Sequence, residues 1–394
     1  MSALTILASF FSLLFTLLLT VSFSHPQSHT FRLTGSMNVA RFGNTITLLP
    51  SGKVLVAGGT QGSNTLESAE LYDPSTGAWT FTGSMNTPRK EHKATLLNNG
   101  KVLIVGGTDF GNNPLASAEL YDPITGTWSL TGSTSIPRRG HTATLLSSGK
   151  VLVAGGTAVA GDLNTASAEL YDPTAGTFTL TGSMNQGRRG HQAALLLDGK
   201  VLVVDGGQSS GPFSSAELYD PTPGTWSFTG SIQQNRGPDP AATMLLDGRV
   251  LVVGGLLPVS GDVPTATAEL YNPPPTGSFS FTGSMGSARY IHTATLLSDG
   301  KILVAGGRSG ETGRPVSSSA EIYEPLTESW TATESLNVAR YAHTATLLDS
   351  GEVLVAGGVD ASFTAVASAE LFALQALSLI CTGLAPTPTH LPFS

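Results

Sequence analysis

VLVAGG occupies residues 54–59. It returns as VLIVGG at 102, VLVAGG at 151, VLVVDGG at 201, VLVVGG at 250, ILVAGG at 302 and VLVAGG at 353. Seven copies of one apolar run and one glycine pair are a building unit, not a single site. Read outward from it, the unit has a period of about 50 residues. The glycines of the preceding GS pair fall at Gly35, Gly83, Gly132, Gly182, Gly230 and Gly283, with Glu334 in the seventh copy.

One copy, Gly83 to Trp128, holds four strands. His92–Leu97 is a run of small and apolar residues, closed by the turn dipeptide Asn99-Gly100. Val102–Val105 is apolar throughout, as expected of a strand covered on both faces. Gly106-Gly107 ends it, and a loop follows. Ser117–Tyr121 is a third strand stopped by Asp122-Pro123, and Trp128 begins a fourth. Four antiparallel strands per copy predict one propeller blade, with small Ala94 and Thr95 at the crowded centre and Trp128 as an outer wedge. All four tryptophans (Trp79, Trp128, Trp226, Trp330) share this register, and Phe178 and Phe279 take it elsewhere.

A glycine pair after an apolar strand, then a Tyr, then a Trp at fixed distance resembles the kelch repeat, of the secreted bacterial type. The likeness runs from residue 30 to about 372. It implies an all-β, seven-bladed kelch-type β-propeller, a fold that serves binding platforms and enzymes alike. The chain starts in mid-blade. Thr30-Phe31-Arg32-Leu33-Thr34-Gly35 matches Trp79-Thr80-Phe81-Thr82-Gly83, which puts Phe31 at the tryptophan position. The seventh copy stops after three strands at Phe372, so the N-terminal strand is expected to complete it and remove the open edge. A degraded outer strand around Leu379 competes for the same slot; Phe31, which keeps the aromatic wedge, is favoured.

The flanks differ from the repeat. Residues 3–23 are almost wholly apolar and uncharged, and Ser22-Phe23-Ser24 offers small residues where a signal peptidase reads. Residues 1–24 are therefore expected to be a signal peptide cleaved after Ser24. No Lys or Arg precedes the long run, which keeps an uncleaved anchor as the alternative. Residues 25–372 are the propeller. Residues 373–394 are the tail, with a Pro/Thr-rich end expected to be disordered. The protein is expected to be secreted, periplasmic or cell-surface, and monomeric.

Composition excludes some functions. The formal net charge is −8 and no Lys/Arg cluster stands out, which argues against nucleic acid. Cys381 is the single cysteine, so neither an internal disulfide nor a cysteine-based metal site is available. Galactose-oxidase-like enzymes build a copper site on a kelch propeller with Tyr, His and a Tyr–Cys link. With no Cys inside the propeller, copper chemistry is not expected, and no cofactor or metal is assigned.

Two charged registers repeat. Arg41, Arg89, Arg138, Arg188, Arg236, Arg289 and Arg340 stand in one; Glu70, Glu119, Glu169, Glu217, Glu269, Glu321 and Glu370 in another. A guanidinium ring that holds an anion is one reading. Equal counts favour the other, seven internal ion pairs. His92, His141, His191, His292 and His343 recur too, with Asn44 and Pro240 in their place in copies one and five. One imidazole per blade suits structural hydrogen bonding better than a metal.

Function should lie in the departures. The loops between second and third strands share a face with the inter-blade linkers, and they vary: 108–116, 157–166, 208–214, 256–266, 308–318 and 359–367. That face is the expected binding face. Copy four reads as carrying one extra residue, Asp205. Copy five, NRGPDPAAT, has one extra residue between Arg236 and Gly248. Asp205, Arg236, Asp239, Gln233 and Gln234 are the candidate lining of a polar pocket for a small hydroxylated ligand, against drift with a bulge at Asp205. The loops hold few aromatics (Phe110, Phe213, Phe363), which gives stacking on sugar rings little support. The leading expectation is a non-enzymatic binding scaffold for a protein, glycan or polyanion. The alternative is a sugar epimerase- or mutarotase-like enzyme with Asp205 or Asp239 as acid/base groups.

Overall fold

The computed structural model describes residues 29–158, 164–208, 211–237, 239–258, 262–310, 313 and 315–374. The proposed signal segment and the strand around Leu379 lie outside them. Thr30–Ala373 forms one compact unit.

The apolar runs are the second strands, and they are buried along their whole length (Val54–Ala57, Val102–Val105 and so on to Val353–Ala356). Each sits between a short inner strand and the AEL strand. In blade 2 the four strands are Lys93–Leu96, Val102–Val105, Ala118–Asp122 and Thr127–Leu130, paired antiparallel in that order. Seven such sheets repeat. Each inner strand touches the next around the axis, and Thr344–Leu347 of blade 7 touches Thr45–Leu48 of blade 1, so the ring is closed.

Closure uses the N-terminal strand, as the register of Phe31 implies. His29–Leu33 is the outer strand of blade 7, beside Ala369–Leu374. The Phe31 and Phe372 ring centroids lie 4.9 Å apart, matching the wedge pair of every other blade, such as Tyr121 and Trp128 at 5.0 Å. Aromatic pairs at this spacing contribute beyond the area they bury.

The wedge also explains the TGS motif. The indole of Trp79 donates to the carbonyl of Gly35 at 2.8 Å, and Trp128, Trp226 and Trp330 repeat the bond to Gly83, Gly182 and Gly283. The threonine before each glycine bonds the buried Tyr hydroxyl of the next blade, as in Thr34–Tyr72 at 2.8 Å. A Cβ at Gly83 would meet the carbonyl oxygen of Gly126 at 2.4 Å, which no side chain tolerates. Thus the outer strand is tied to the following blade by the indole and threonine hydrogen bonds.

Candidate functional site

The repeated charges are consumed inside the scaffold. All seven arginines are fully buried and pair within their own blade: Arg41–Glu70, Arg89–Glu119, Arg138–Glu169, Arg188–Glu217, Arg236–Glu269, Arg289–Glu321 and Arg340–Glu370, at 2.7–3.0 Å. Arg138 shows the full pattern. Its guanidinium also donates to the carbonyls of Gly155 and Ser167 and to the Ser167 hydroxyl. The glutamate accepts backbone N–H groups of the inter-blade linker, as Glu70 does from Asn38 and Val39. No guanidinium of this register faces the channel as an anion hold.

The histidines do a related job. Each precedes an inner strand and packs against the first glycine of the previous blade: a Cβ on Gly58 would lie 2.7 Å from His92 Cε1, and one on Gly254 2.4 Å from His292 Cε1. The far nitrogen bonds the threonine that starts the previous inner strand, in Thr45–His92, Thr142–His191 and Thr293–His343 at 2.9–3.0 Å. Burial pushes His92, His191, His292 and His343 down to about 3, with the arginine of the same blade adding to the shift, and pushes His141 well down too.

Asp205 is a replacement, not an insertion. Val201–Val204 pairs with Ala216 through Tyr219 without interruption, and Asp205 then stands where the other blades have their first glycine. No bulge lies there; the irregularity of blade 4 falls between Ser215 and Glu217. Asp205 adopts the glycine conformation, φ 63°, and is fully buried. Neither carboxyl oxygen reaches a donor with hydrogen-bond geometry. Burial raises its pKa well above the ordinary range; Arg236 and the adjacent Gly206 amide oppose the shift.

Its companion explains how it fits. The next blade would present a histidine against this position but presents Pro240 instead, and the extra residue before it reroutes the backbone. At the other six seams the second glycine donates its N–H to the next arginine's carbonyl, as Gly107 does to Arg138 at 2.9 Å. Here Arg236 O accepts instead from Leu256 of its own blade, at 2.7 Å. A double-mutant cycle checks the coupling. Pro240→His alone is expected to destabilise, because the imidazole meets the Asp205 side chain. In an Asp205→Gly background it is expected to be tolerated, with a coupling energy of about 0.5–3 kcal/mol. Asp205→Gly alone is expected to stabilise by about 1–3 kcal/mol at neutral pH, by relieving strain at a positive φ. The gain should grow with pH. A carboxyl whose folded pKa is raised contributes stability fully below its unfolded value and loses it as pH climbs through the raised one.

The five residues expected to share a pocket therefore separate. Asp205 is sealed in the seam between blades 4 and 5, and Arg236 is paired. The backbones of Gln233 and Gln234 both donate to Glu269, and their side chains hold Phe279 O and Thr267. Gln233 and Asp239 are both exposed, and of the five it is Asp239 that lines a cavity at the channel mouth. It sits at a left-handed position (φ 66°) that recurs around the axis as Gly43, Glu91, Gly140, Gly190, Ile291 and Ala342.

That mouth holds groups which sequence reasoning passed over. The inner strand of blade 2 starts with Lys93 where blades 1, 3, 6 and 7 start with threonine. Lys93 is open to water in the bore, yet the surrounding strands crowd it. This desolvation lowers its amine below the ordinary value, against the opposing charges of Asp239 and Glu91. The Asp239 carboxyl is raised by the same crowding, countered by Lys93. Replacing threonine leaves imidazoles unsatisfied. His141, facing Lys93's blade, and His292, facing Ala241's, find no hydrogen-bond partner on either ring nitrogen. A cavity of about 310 Å³ opens here, lined by Gln192, Asp239, Pro240, His292 and Thr293 among others. Its signal in the sequence was the threonine register itself, broken at Lys93, Gln192 and Ala241.

A closed ring of seven four-stranded blades, each locked by a buried Arg–Glu pair, defines a repeat propeller, with the departures Lys93, Gln192 and Ala241 on its inner strands. Residues 43–255, more than half of the chain, match the KLHDC2/KLHL20/DRC7 Kelch-repeats domain, and residues 291–337 match the Kelch motif. The chain belongs to the kelch-repeat family. It is 33% identical over 126 residues to an F-box/kelch-repeat protein of Arabidopsis thaliana, covering 31% of this chain and 32% of that one. The match thus spans about a third of that relative's length. A fungal alcohol oxidase of the AA5 family, solved in complex with copper, superposes with a TM-score of 0.70 at 20% identity, over 89% of this chain and 77% of that one. At that identity the likeness is one of fold alone. Among the described residues no three His, Cys, Asp or Glu side chains converge as metal ligands would, because the histidines stand one to a seam.

Proposed function

We propose that this kelch propeller is a non-enzymatic binding module that works outside the cytoplasm and takes a small hydroxylated ligand at the channel mouth of its loop face. The observation that carries the reading is the mouth itself. Lys93, Asp239 and Glu91 are charged groups outside the pairs that lock the blades; they act on one another's charge, and Asp239 lines the cavity. A carboxylate accepts and an amine donates, which together suit the hydroxyl groups of a ligand. The apolar segment at residues 3–23 supports an extracytoplasmic setting, and the low charge of the chain supports a partner other than nucleic acid. The secreted bacterial type of kelch protein belongs to the same proposal.

Thermal shift against a panel of monosaccharides, polyols and polyanions tests it. A ligand at a hundred times its Kd stabilises by about 2.7 kcal/mol. Lys93→Met and Asp239→Asn are expected to abolish that shift while leaving the unliganded Tm within a few degrees. Polyanions that bind equally well to both variants would sink the reading. One observation favours an enzyme as a second reading: the Lys93 amine and the Asp239 carboxyl, both exposed, act on one another's charge, and Asp239 lines the cavity. Turnover of a sugar that fails in Asp239→Asn would decide for it. Asp205 is no candidate in that case, since no substrate reaches a fully buried carboxyl.

A further inference from the structure

The seam where the ring closes carries a second feature of the loop face. A groove of about 480 Å³ runs between the loops of blades 7 and 1, lined by Phe42, Phe363, Gln61, Asn64 and Thr364. That volume lies in the range of small-molecule sites. Its lining has two aromatic rings, two primary amides and a hydroxyl, and no charged side chain.

Phe363 is the unusual member. It adopts φ 59° and leaves 63% of its surface exposed. Blade 2 shows what the backbone wants there. Its turn has the same two bonds, Asn112 N–H to Asp109 O and Asp109 N–H to Asn113 O, each at 3.1 Å. Blade 7 repeats them as Phe363 to Asp360 and Asp360 to Thr364, each at 3.0 Å. In blade 2 the left-handed position belongs to Asn112, a residue type that tolerates it. Phenylalanine there is strained and exposes a large apolar ring, so neither conformational preference nor burial explains it. The ring is nevertheless held. The guanidinium of Arg308 lies over it at 5.3 Å and over Tyr341 at 5.3 Å, so one cation braces two rings. Arg308 covers one face of Phe363 and leaves the other.

The aromatics come from an unexpected register. The residue after each structural arginine is Lys90, Arg139 and Arg189 in blades 2 to 4, but Tyr290, Tyr341 and Phe42 in blades 6, 7 and 1. The loop face thus has an aromatic sector, and the groove lies in it.

We infer that this groove binds a neutral hexopyranose unit of a glycan. The C–H face of the sugar stacks on Phe363 and Phe42, and its hydroxyls bond the amides of Gln61 and Asn64, which donate and accept alike. The absence of charge among the lining side chains fits an uncharged ring. This inference rests on the loop face being the binding face, but not on the channel-mouth residues.

The test is saturation-transfer NMR on the full chain with millimolar cellobiose, lactose, maltose and chitobiose, and with a proline-rich peptide for contrast. Transfer to ring C–H protons of at least one disaccharide is expected. Phe363→Ala should weaken it tenfold or more. Phe363→Asn is the sharper variant, expected to keep or raise Tm while losing the sugar. Asp239→Asn should leave this transfer unchanged, which separates the groove from the channel mouth. Failure of all four sugars to receive transfer overturns the inference. So does transfer that survives in both Phe363 variants, or binding of the peptide alone.

Discussion

Replacing Arg138 by alanine is expected to lower the stability of the propeller by about 3–5 kcal/mol. The guanidinium makes four bonds in a site sealed from water, and Glu169, 2% exposed, would keep its charge with no cation beside it. The Gly155 carbonyl would lose its guanidinium donor in the same stroke, and the Ser167 carbonyl would keep only the Gly155 N–H. Urea unfolding followed by tryptophan fluorescence measures the loss. Removing both charges together, as in Arg138→Met with Glu169→Leu, should cost less than Arg138→Ala alone, because no buried ion is stranded. Unchanged stability with a lost affinity for anions would instead make the arginines a binding ring.

Mild acid is expected to act still more strongly. His92, His191, His292 and His343 are held neutral in the fold, pushed down to about 3, while an unfolded histidine titrates near about 6.5. A depressed folded value means stability that is present above the unfolded pKa and lost as pH falls below it. At about pH 5 each such seam forfeits on the order of 2 kcal/mol, at 1.36 kcal/mol per unit. Several seams act together, so urea midpoints should drop steeply between about pH 6.5 and pH 5, with protons taken up on unfolding. A flat profile across that interval would show that the seam imidazoles are charged or solvated in the fold.

The repeat made most of the scaffold readable. Blade number, strand order, the Phe31 closure and the Arg–Glu pairing all follow from residues that recur, because each recurrence answers a local packing demand. What recurs least was hardest to read. The segment VLVVDGG looks like an insertion on the page, since both glycines survive. Only the pairing of Val201–Val204 shows that Asp205 has taken a glycine's place and that Gly207 stands where the other blades have Thr60, Thr108, Thr157, Leu256, Arg308 and Val359. Lys93 hid in a strand whose neighbours are Ala and Thr, because nothing in a period of two tells bore from seam. Phe42 and Tyr341 hid in the linkers, outside the variable loops, and only the closure of the ring brings Phe42 beside Phe363.

Ring closure also orders events in time. The strand His29–Leu33 leaves the ribosome before any blade exists, yet its partner is Ala369–Leu374, more than three hundred residues later. Until then Phe31 has no Phe372 to pack on, and Arg32 has no Glu352 to meet at 2.7 Å. Six blades can assemble from neighbouring sequence, but the seventh must await the last strand. A contact of such long range is slow to form. The first strand of the ring to be synthesised is thus the last to be placed, and a nascent chain stalled before residue 369 would carry an unclosed ring.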